Sequence, residues 1–491
     1  MMLALIIVPT AAGILSFFIQ RSYFSRYLAV AVGLVHIVLT ILYGIYPPAP
    51  MFNGWLALDS LGFLFLGIVS VLFLASSVYA VGFLKRESSQ THKDFNEGTL
   101  FNNASESVFI GCLLLFLATM TFVTLCHHFG LFWVAIESTT LASAPMIYFH
   151  RHHRSLEATW KYLIICSVGI AIALLGNFFL AVSTYHTGGH SLSLTVEKLI
   201  ESASILNISW LKAAFLLFLV GYGTKMGLAP MHTWLPDAHS EAPSVVSMLL
   251  SGSLLNCAFL GILRIFQVCL AAGQAEFART MLLGFGIFSI AVAAVFILGQ
   301  SEYKRMLAYS SVEHVGILAL GIGFGGLGIY GALFHAINHS LTKGMLFLLA
   351  GNILHVYKSR TISDIEGLRK VLPISGFLWF AGFLAIVGFP PFGIFMSKFL
   401  IIRAGFEMHH YFSSIILIIL LVIIFIGMGS NILQMTQGLP PQEISIKDRK
   451  ENFLAYIPPM ILGLIVLLLG LYLPSGINNL IKDAVKLLGG F

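Results

Sequence analysis

The sequence predicts an all-α polytopic membrane protein with about fourteen transmembrane helices, some of them broken. Three observations carry that expectation. Of 491 residues, 58% are hydrophobic and only 10% are charged, with a mean hydropathy of +0.92. A water-soluble chain of this length could not hide so much apolar surface. Apolar runs long enough to cross hydrocarbon follow one another with short connections throughout, and the few charges inside them cluster where prolines interrupt the runs.

The runs lie near 2–19, 26–46, 59–84, 107–126, 129–149, 160–183, 208–229, 244–271, 280–300, 306–325, 327–356, 372–404, 412–435 and 454–473. The first has no basic residue ahead of it and is followed by Arg21 and Arg26, the wrong order for a cleaved signal, so it counts as a span. The closing stretch 475–490 is short and amphipathic, with Lys482 and Lys486, and is expected at the interface. Four segments result: 1–104 with three spans and a polar loop, 105–272, 273–436, and 437–491 with the last span and the tail.

Lysine and arginine set the expected orientation. Connections after odd-numbered spans carry Arg21, Arg26, Lys85, Arg86, Lys93, Arg151, Arg154, Lys304, Arg305, Lys358, Arg360, Arg369, Lys370, Lys447, Arg449 and Lys450, whereas those after even spans carry Lys198, Arg279 and Arg403, with Arg264 and Lys212 near span ends. The odd connections, 85–106 among them, are therefore expected in the cytoplasm. Both termini, and the 184–207 connection with its Gly188–Gly189 turn, are expected outside a bacterial-type inner membrane. The HRHHR cluster from His150 to Arg154 reads as solvated anchoring.

Several function classes fall away. The net charge of +6 is too modest to suggest nucleic acid. Cys112, Cys126, Cys166, Cys257 and Cys269 lie in or beside apolar runs with no CxxC spacing, so buried inert thiols are expected rather than an iron–sulfur, zinc or disulfide framework. There is no GxxxxGKS loop and no GxGxxG after a strand. No cofactor is expected on this chain.

The informative residues are the charges inside the spans, which in hydrocarbon persist where they face a protein interior or a watery path. Glu137 sits mid-span in LFWVAIESTTLASAPMIYF. Lys225 is its natural partner, beside a break at Pro230 that also gathers His232, Asp237, His239 and Glu241. Asn256 is the polar residue in the middle of the following span, able to pass a hydrogen bond or hold water, or simply to join two helices. His335, His339 and Lys343 stand at i, i+4 and i+8 on one helix face, a spacing that suits a proton relay better than a metal site lacking a third ligand. A second break at Pro390–Pro391 has Lys398 beyond it, which suggests a duplicated, inverted-repeat architecture. Lys161 lies just inside its span, placed to snorkel or to hand protons inward, and Glu313 and His314 lie about two turns into theirs.

PMHTWLPDAHSEAPS, KRMLAYSSVEH and FHAINHSLTKGMLFLLAGNI resemble the signature stretches of the antiporter-like proton-conducting subunits of respiratory complex I, Mrp cation/proton antiporters and membrane-bound [NiFe]-hydrogenases. The resemblance runs from about residue 105 to 430. Within the family, LFWVAIESTTL, WKYLIICSVGIAIALLG and SGSLLNCAFLGILR are most similar to component F of hydrogenase-4. It implies two inverted five-helix repeats, spans 4–8 and 9–13. Glu137 takes the place of the family's span-5 glutamate and Lys225 that of the lysine of broken span 7. His335 stands for the histidine of broken span 11 and Lys398 for the terminal lysine of broken span 12. Asn256 stands where complex I relatives commonly have lysine or histidine, leaving water or His335 to bridge the halves. The resemblance further implies H+ or Na+ as the transported ion, and membrane and hydrophilic partner subunits of a hydrogenase or complex I-like assembly that hold the redox centres. The alternative is a Mrp-like antiporter subunit or the membrane partner of an inorganic-carbon uptake system.

Overall fold

The computed structural model describes residues 2–19, 22–87, 92–93, 98, 100–185, 193–439 and 451–490. The expected Gly188–Gly189 turn and the cations Arg21, Lys447, Arg449 and Lys450 lie outside the described residues. The chain opens with α1 (Met2–Phe18), α2 (Ser22–Ile45) and α3 (Ser60–Glu87), then a two-residue ladder pairing His92–Lys93 with Leu100–Phe101. There follow α4 (Glu106–Leu125), α5 (Phe129–Ile147), α6 (His153–Ser183), α7 (Val196–Glu201), α8 (Ile208–Met226), α9 (Trp234–Glu241), α10 (Ser244–Leu249) and α11 (Leu255–Ala271). The rest is α12 (Ala275–Leu298), α13 (Tyr303–Phe324), α14 (Leu327–Tyr357), α15 (Leu368–Val371), α16 (Pro373–Val387), α17 (Gly393–Glu407), α18 (Tyr411–Thr436), α19 (Phe453–Leu471) and α20 (Ser475–Lys486).

Nine of the described helices are long and apolar enough to cross a membrane, counting α10–α11 as one. The other expected spans coincide with α1, α16 and α17, which are short, and with α5, α8 and α14, whose polar side chains dilute their apolar character. The helices hardest to recognise as spans therefore include those that carry Glu137, Lys225 and His335. Apolar side chains such as Ile164, Val168, Phe412 and Ile426 point outward from α6 and α18. By contrast α13 and α10–α11 are buried almost throughout. This places the polar residues of α13 and α14 in the middle of the bundle.

Both expected breaks are present, and each follows a glycine. α8 ends on Gly227 at φ +88°, and α16 ends on Gly388 at φ +85°, left-handed conformations that suit glycine because it lacks a Cβ. A helix opened at depth must find partners for its freed backbone groups. At the first break the Trp234 indole donates to the Thr224 carbonyl at 2.8 Å, and Ser289 Oγ accepts from the Ala229 amide at 3.0 Å. At the second, Lys398 itself reaches back to the carbonyls of Ile386 and Val387, at 3.4 and 3.3 Å.

Two expectations are corrected here. Span 11 is not broken: α14 runs unbroken through 31 residues, and no proline lies within it. The irregularity falls instead in span 8, where Leu250–Leu254 form one π-helical turn between α10 and α11; such turns recur at functional sites. Lys304, counted with the cations of the odd connections, lies within a helix. It opens α13 and is buried, donating to the Ala242 carbonyl at 2.7 Å and the Ser240 carbonyl at 3.2 Å, and so caps the end of α9.

Candidate functional site

The first cluster is built by α5, α6 and α8. Lys225, in the last turn of α8, is fully buried, and its Nζ donates to Thr140 Oγ1 at 2.7 Å and to the Tyr162 hydroxyl at 2.8 Å. Thr140 Oγ1 donates in turn to Glu137 Oε2 at 3.3 Å, one turn away on α5. Ser167 Oγ donates to the other carboxylate oxygen at 2.8 Å. Lys225 and Glu137, expected as partners, are thus joined through a hydroxyl bridge. Glu137 faces the flank of the bundle and is half-buried, whereas Lys225 is interior, and Thr140 spans the gap. A hydroxyl donates and accepts at once, so the bridge can pass a proton between the charged groups.

The second cluster is built by α13, α14 and α17. Lys398 Nζ and Glu313 Oε1 form a buried ion pair at 2.8 Å. Beside it, His314 Nδ1 and His335 Nε2 lie 2.8 Å apart, and His335 Nδ1 is 2.8 Å from Ser397 Oγ. The ring of His339 stacks on that of His314 with centroids 4.8 Å apart. Neither His339 ring nitrogen has a hydrogen-bond partner among the described residues. Lys343, one turn further along α14, donates to the Leu307 carbonyl at 2.6 Å and is paired with no carboxylate among the described residues.

Asn256 stands between the clusters, its Nδ2 donating to Ser340 Oγ at 2.6 Å and to the Gly252 carbonyl, inside the π turn, at 2.8 Å. It thus ties α11 to α14 one turn before Lys343. A second hydroxyl contact joins the π turn to α13, where Ser251 and Ser311 Oγ atoms lie 2.8 Å apart.

The residues around the first break divide. His239 is buried, stacked on Phe347 at 4.8 Å, with both ring nitrogens unpartnered among the described residues; His232 is buried near Tyr309. Asp237 and Glu241 instead hold structural ion pairs where α6, α9, α13 and the connection after α14 meet. Asp237 pairs with Lys161 at 2.9 Å and Arg305 at 2.8 Å. Glu241 takes Arg360 at 2.5 Å, Arg154 at 3.2 Å and His152 at 3.6 Å. Lys161 is also held by Glu157 at 2.7 Å, so it closes a surface pair rather than leading inward. His152 and Arg154 correct the solvated reading of the HRHHR cluster in the same way.

Sequence reasoning singled out Glu313 as a supporting residue but missed its pairing with Lys398, and it left His314 outside the site. The adjacency of both in SSVEH was the available signal, since neighbours on a helix point to different partners. Tyr162 and Ser167 gave no signal, because nothing in the sequence says which face of α6 meets α8.

A buried lysine beside each helix break, with hydroxyls, imidazoles and carboxylates between, is an arrangement for moving a small cation through a membrane. The family described as NADH:quinone oxidoreductase/Mrp antiporter, TM matches residues 126–425. The chain belongs to this family. It is 35% identical over 363 residues to a hydrogenase-4 component F homolog of Methylacidiphilum infernorum, covering 73% of this chain and 74% of that one. It is 29% identical to NADH-quinone oxidoreductase subunit N of Desulforudis audaxviator, over 72% of this chain and 68% of that one. With a Na(+)/H(+) antiporter subunit of Alkalihalophilus pseudofirmus the identity is 28% over 87% of this chain, which spans only 53% of that relative. Among solved structures, the fold matches a chain of the archaeal membrane-bound sulfane sulfur reductase with a TM-score of 0.83 at 20% identity, covering 99% of this chain and 97% of that one. It matches a chain of the Mrp complex from Dietzia sp. DQ12-45-1b with a TM-score of 0.82 at 18% identity, covering 99% and 96%. The protein is thus a multi-pass, antiporter-like membrane subunit of the complex I, Mrp and hydrogenase family.

Proposed function

We propose that this chain translocates protons as one subunit of an energy-converting oxidoreductase assembly of hydrogenase-4 or complex I type. The observation that carries the reading is the series of half-buried Glu137 with buried Thr140 and Lys225 in one half and buried Lys343, His339, His314, His335, Glu313 and Lys398 in the other, with Asn256 and Ser340 between. Electron transfer in partner subunits would move charge near Glu137, shift the charge balance at Lys225 through Thr140, and drive a proton onward to the Glu313–Lys398 pair. About fourteen spans, arranged as two inverted five-helix repeats over 105–272 and 273–436, with both termini outside a bacterial inner membrane, complete the proposal. The relative that supports the hydrogenase branch is the component F homolog.

A Mrp-like cation/proton antiporter subunit is the second reading, supported by the 87% coverage of this chain in that comparison. Its ion would be Na+ exchanged for H+. Replacing Glu137 by Gln tests the shared core of both readings: shape and the Ser167 contact are kept and the charge is lost. Vesicles containing the assembled variant should lose ion translocation with partner subunits still bound. Translocation at the normal rate would refute the role. Sodium dependence of the unmodified assembly then separates the two readings.

A further inference from the structure

One group of titratable side chains lies outside the site just described, on the opposite face of the bundle from the Glu241 ion pairs. There the start of α3, the end of α4, α7 and the last turns of α11 come together. Arg264 is 2% exposed and grips Asp59 with two bonds, Nη1 to Oδ2 at 2.5 Å and Nη2 to Oδ1 at 2.8 Å. Arg264 Nη2 also lies 3.2 Å from His127 Nε2. An arginine N–H can only donate, so Nε2 accepts and the imidazole proton sits on Nδ1, which donates to Glu197 Oε1 at 3.2 Å.

The charges do not balance. Asp59 and Glu197 are two carboxylates against the single guanidinium of Arg264, so with His127 neutral the group is one positive charge short. Burial alone would push the Asp59 carboxyl up, but the Arg264 guanidinium beside it holds it well below the usual carboxylate range. The hydrogen bond from His127 likewise holds the Glu197 carboxyl down. Both carboxylates therefore stay ionised, and no other charged side chain among the described residues of α3, α4, α7 or α11 pairs with the group; Gln267 Oε1 lies 3.2 Å from Arg264 Nη1, and the Gly62 amide donates to Asp59 Oδ1 at 2.8 Å.

Exposure is graded from outside to inside. The Glu197 side chain is 49% exposed, Asp59 22%, His127 4% and Arg264 2%. Further in, Gly261, one turn before Arg264, is packed against the ring of Tyr222, where a Cβ would meet ring carbons at 2.9 Å. Tyr222 is one turn before Lys225 on α8, and its buried hydroxyl has no partner among the described residues.

We propose that Glu197 and His127, set by the Asp59–Arg264 pair, form a proton-binding port through which the Lys225 cluster exchanges protons with the medium on the α7 face. His127 takes up a proton from the medium at Nε2, its unprotonated ring nitrogen, as the ring turns that atom from Arg264 towards Asp59 Oδ1, 3.8 Å away, while Nδ1–H stays on the Glu197 carboxylate, which steadies the imidazolium from the exposed side. Tyr222 is the step between this port and Lys225. The port rests on the translocation reading above, and it adds an access path on a face that the reading leaves without one.

Sealed vesicles containing the intact assembly are acidified on the α7 face alone, and protons bound per chain are counted with a pH indicator. The His127→Gln side chain can still accept from Arg264 and donate to Glu197, so assembly should be kept. It should bind about one proton fewer than the unmodified chain when that face is acidified, and show no difference when the other face is acidified. Equal uptake in the two chains overturns the port. In the same vesicles, His127→Gln and the surface variant Glu197→Gln should each slow translocation about threefold or more and lose its dependence on pH at that face; unchanged pH dependence in both also overturns it. The uptake count needs no translocation, so failure of the Glu137→Gln test would refute the translocation reading without deciding the port.

Discussion

The two helix breaks are alike in backbone and unlike in chemistry. Each ends on a left-handed glycine with a proline close behind, and each has a buried lysine nearby. At the first, the Trp234 indole closes the broken helix, so Lys225 is free to bond only to the hydroxyls of Thr140 and Tyr162. At the second, Lys398 does the closing itself and is also paired with Glu313. One lysine is therefore held by neutral groups alone, and the other is paired with a carboxylate and built into the closure of its helix. The lysines also differ in place, Lys225 two residues before its glycine and Lys398 ten after. The lesson is that a shared backbone device does not imply a shared role for the residue beside it.

Breaking the pair at the second site should have the largest effect on stability. Lys398→Met leaves Glu313 buried and unpaired, a loss of roughly 3–5 kcal/mol, and the assembly should melt earlier in detergent. Adding Glu313→Leu should recover most of that loss, because two apolar side chains leave no stranded charge. A double variant no more stable than the single one would mean the pair is not the unit that holds α13 to α17.

Lys225→Met sharpens the contrast. Two hydrogen bonds to hydroxyls are lost and no carboxylate is left in contact unpaired, so the cost should be only about 1–2 kcal/mol, while translocation disappears. Thermal melting and vesicle assays on the same preparation measure both. A melting loss as large as that of Lys398→Met would erase the proposed difference between the sites.

Asn256→Leu probes the connection between them. The Ser340 contact is worth about a kcal/mol or less, and leucine suits a buried helix, so assembly should be unimpaired. Transfer between the halves should stop if Asn256 and Ser340 carry it. Normal translocation would reduce Asn256 to a helix–helix contact.

The fold was legible in the sequence because hydrocarbon imposes a simple rule of length and apolarity, and the breaks because glycine and proline announce them. Glu137, Lys225, His335 and Lys398 were legible as charges where charge is costly. What stayed hidden was rotational: whether Lys225 meets Glu137 or Thr140, and whether Asp237 and Glu241 turn to the interior or to Arg305 and Arg360. These depend on how helices far apart in sequence rotate against each other. Span 11 was expected to break by resemblance, although its own residues contain no proline, and its residues proved the better guide.

The hydroxyl bridge between Glu137 and Lys225 is the point on which the account turns, and Thr140 tests it most directly. Thr140→Val keeps the shape and removes the hydroxyl, whereas Thr140→Ser keeps the hydroxyl and removes a methyl. Ion translocation in vesicles, normalised to assembled complex, should fall about tenfold or more in Thr140→Val and stay near the unmodified rate in Thr140→Ser. Equal rates in the two variants, both near the unmodified one, would contradict the account.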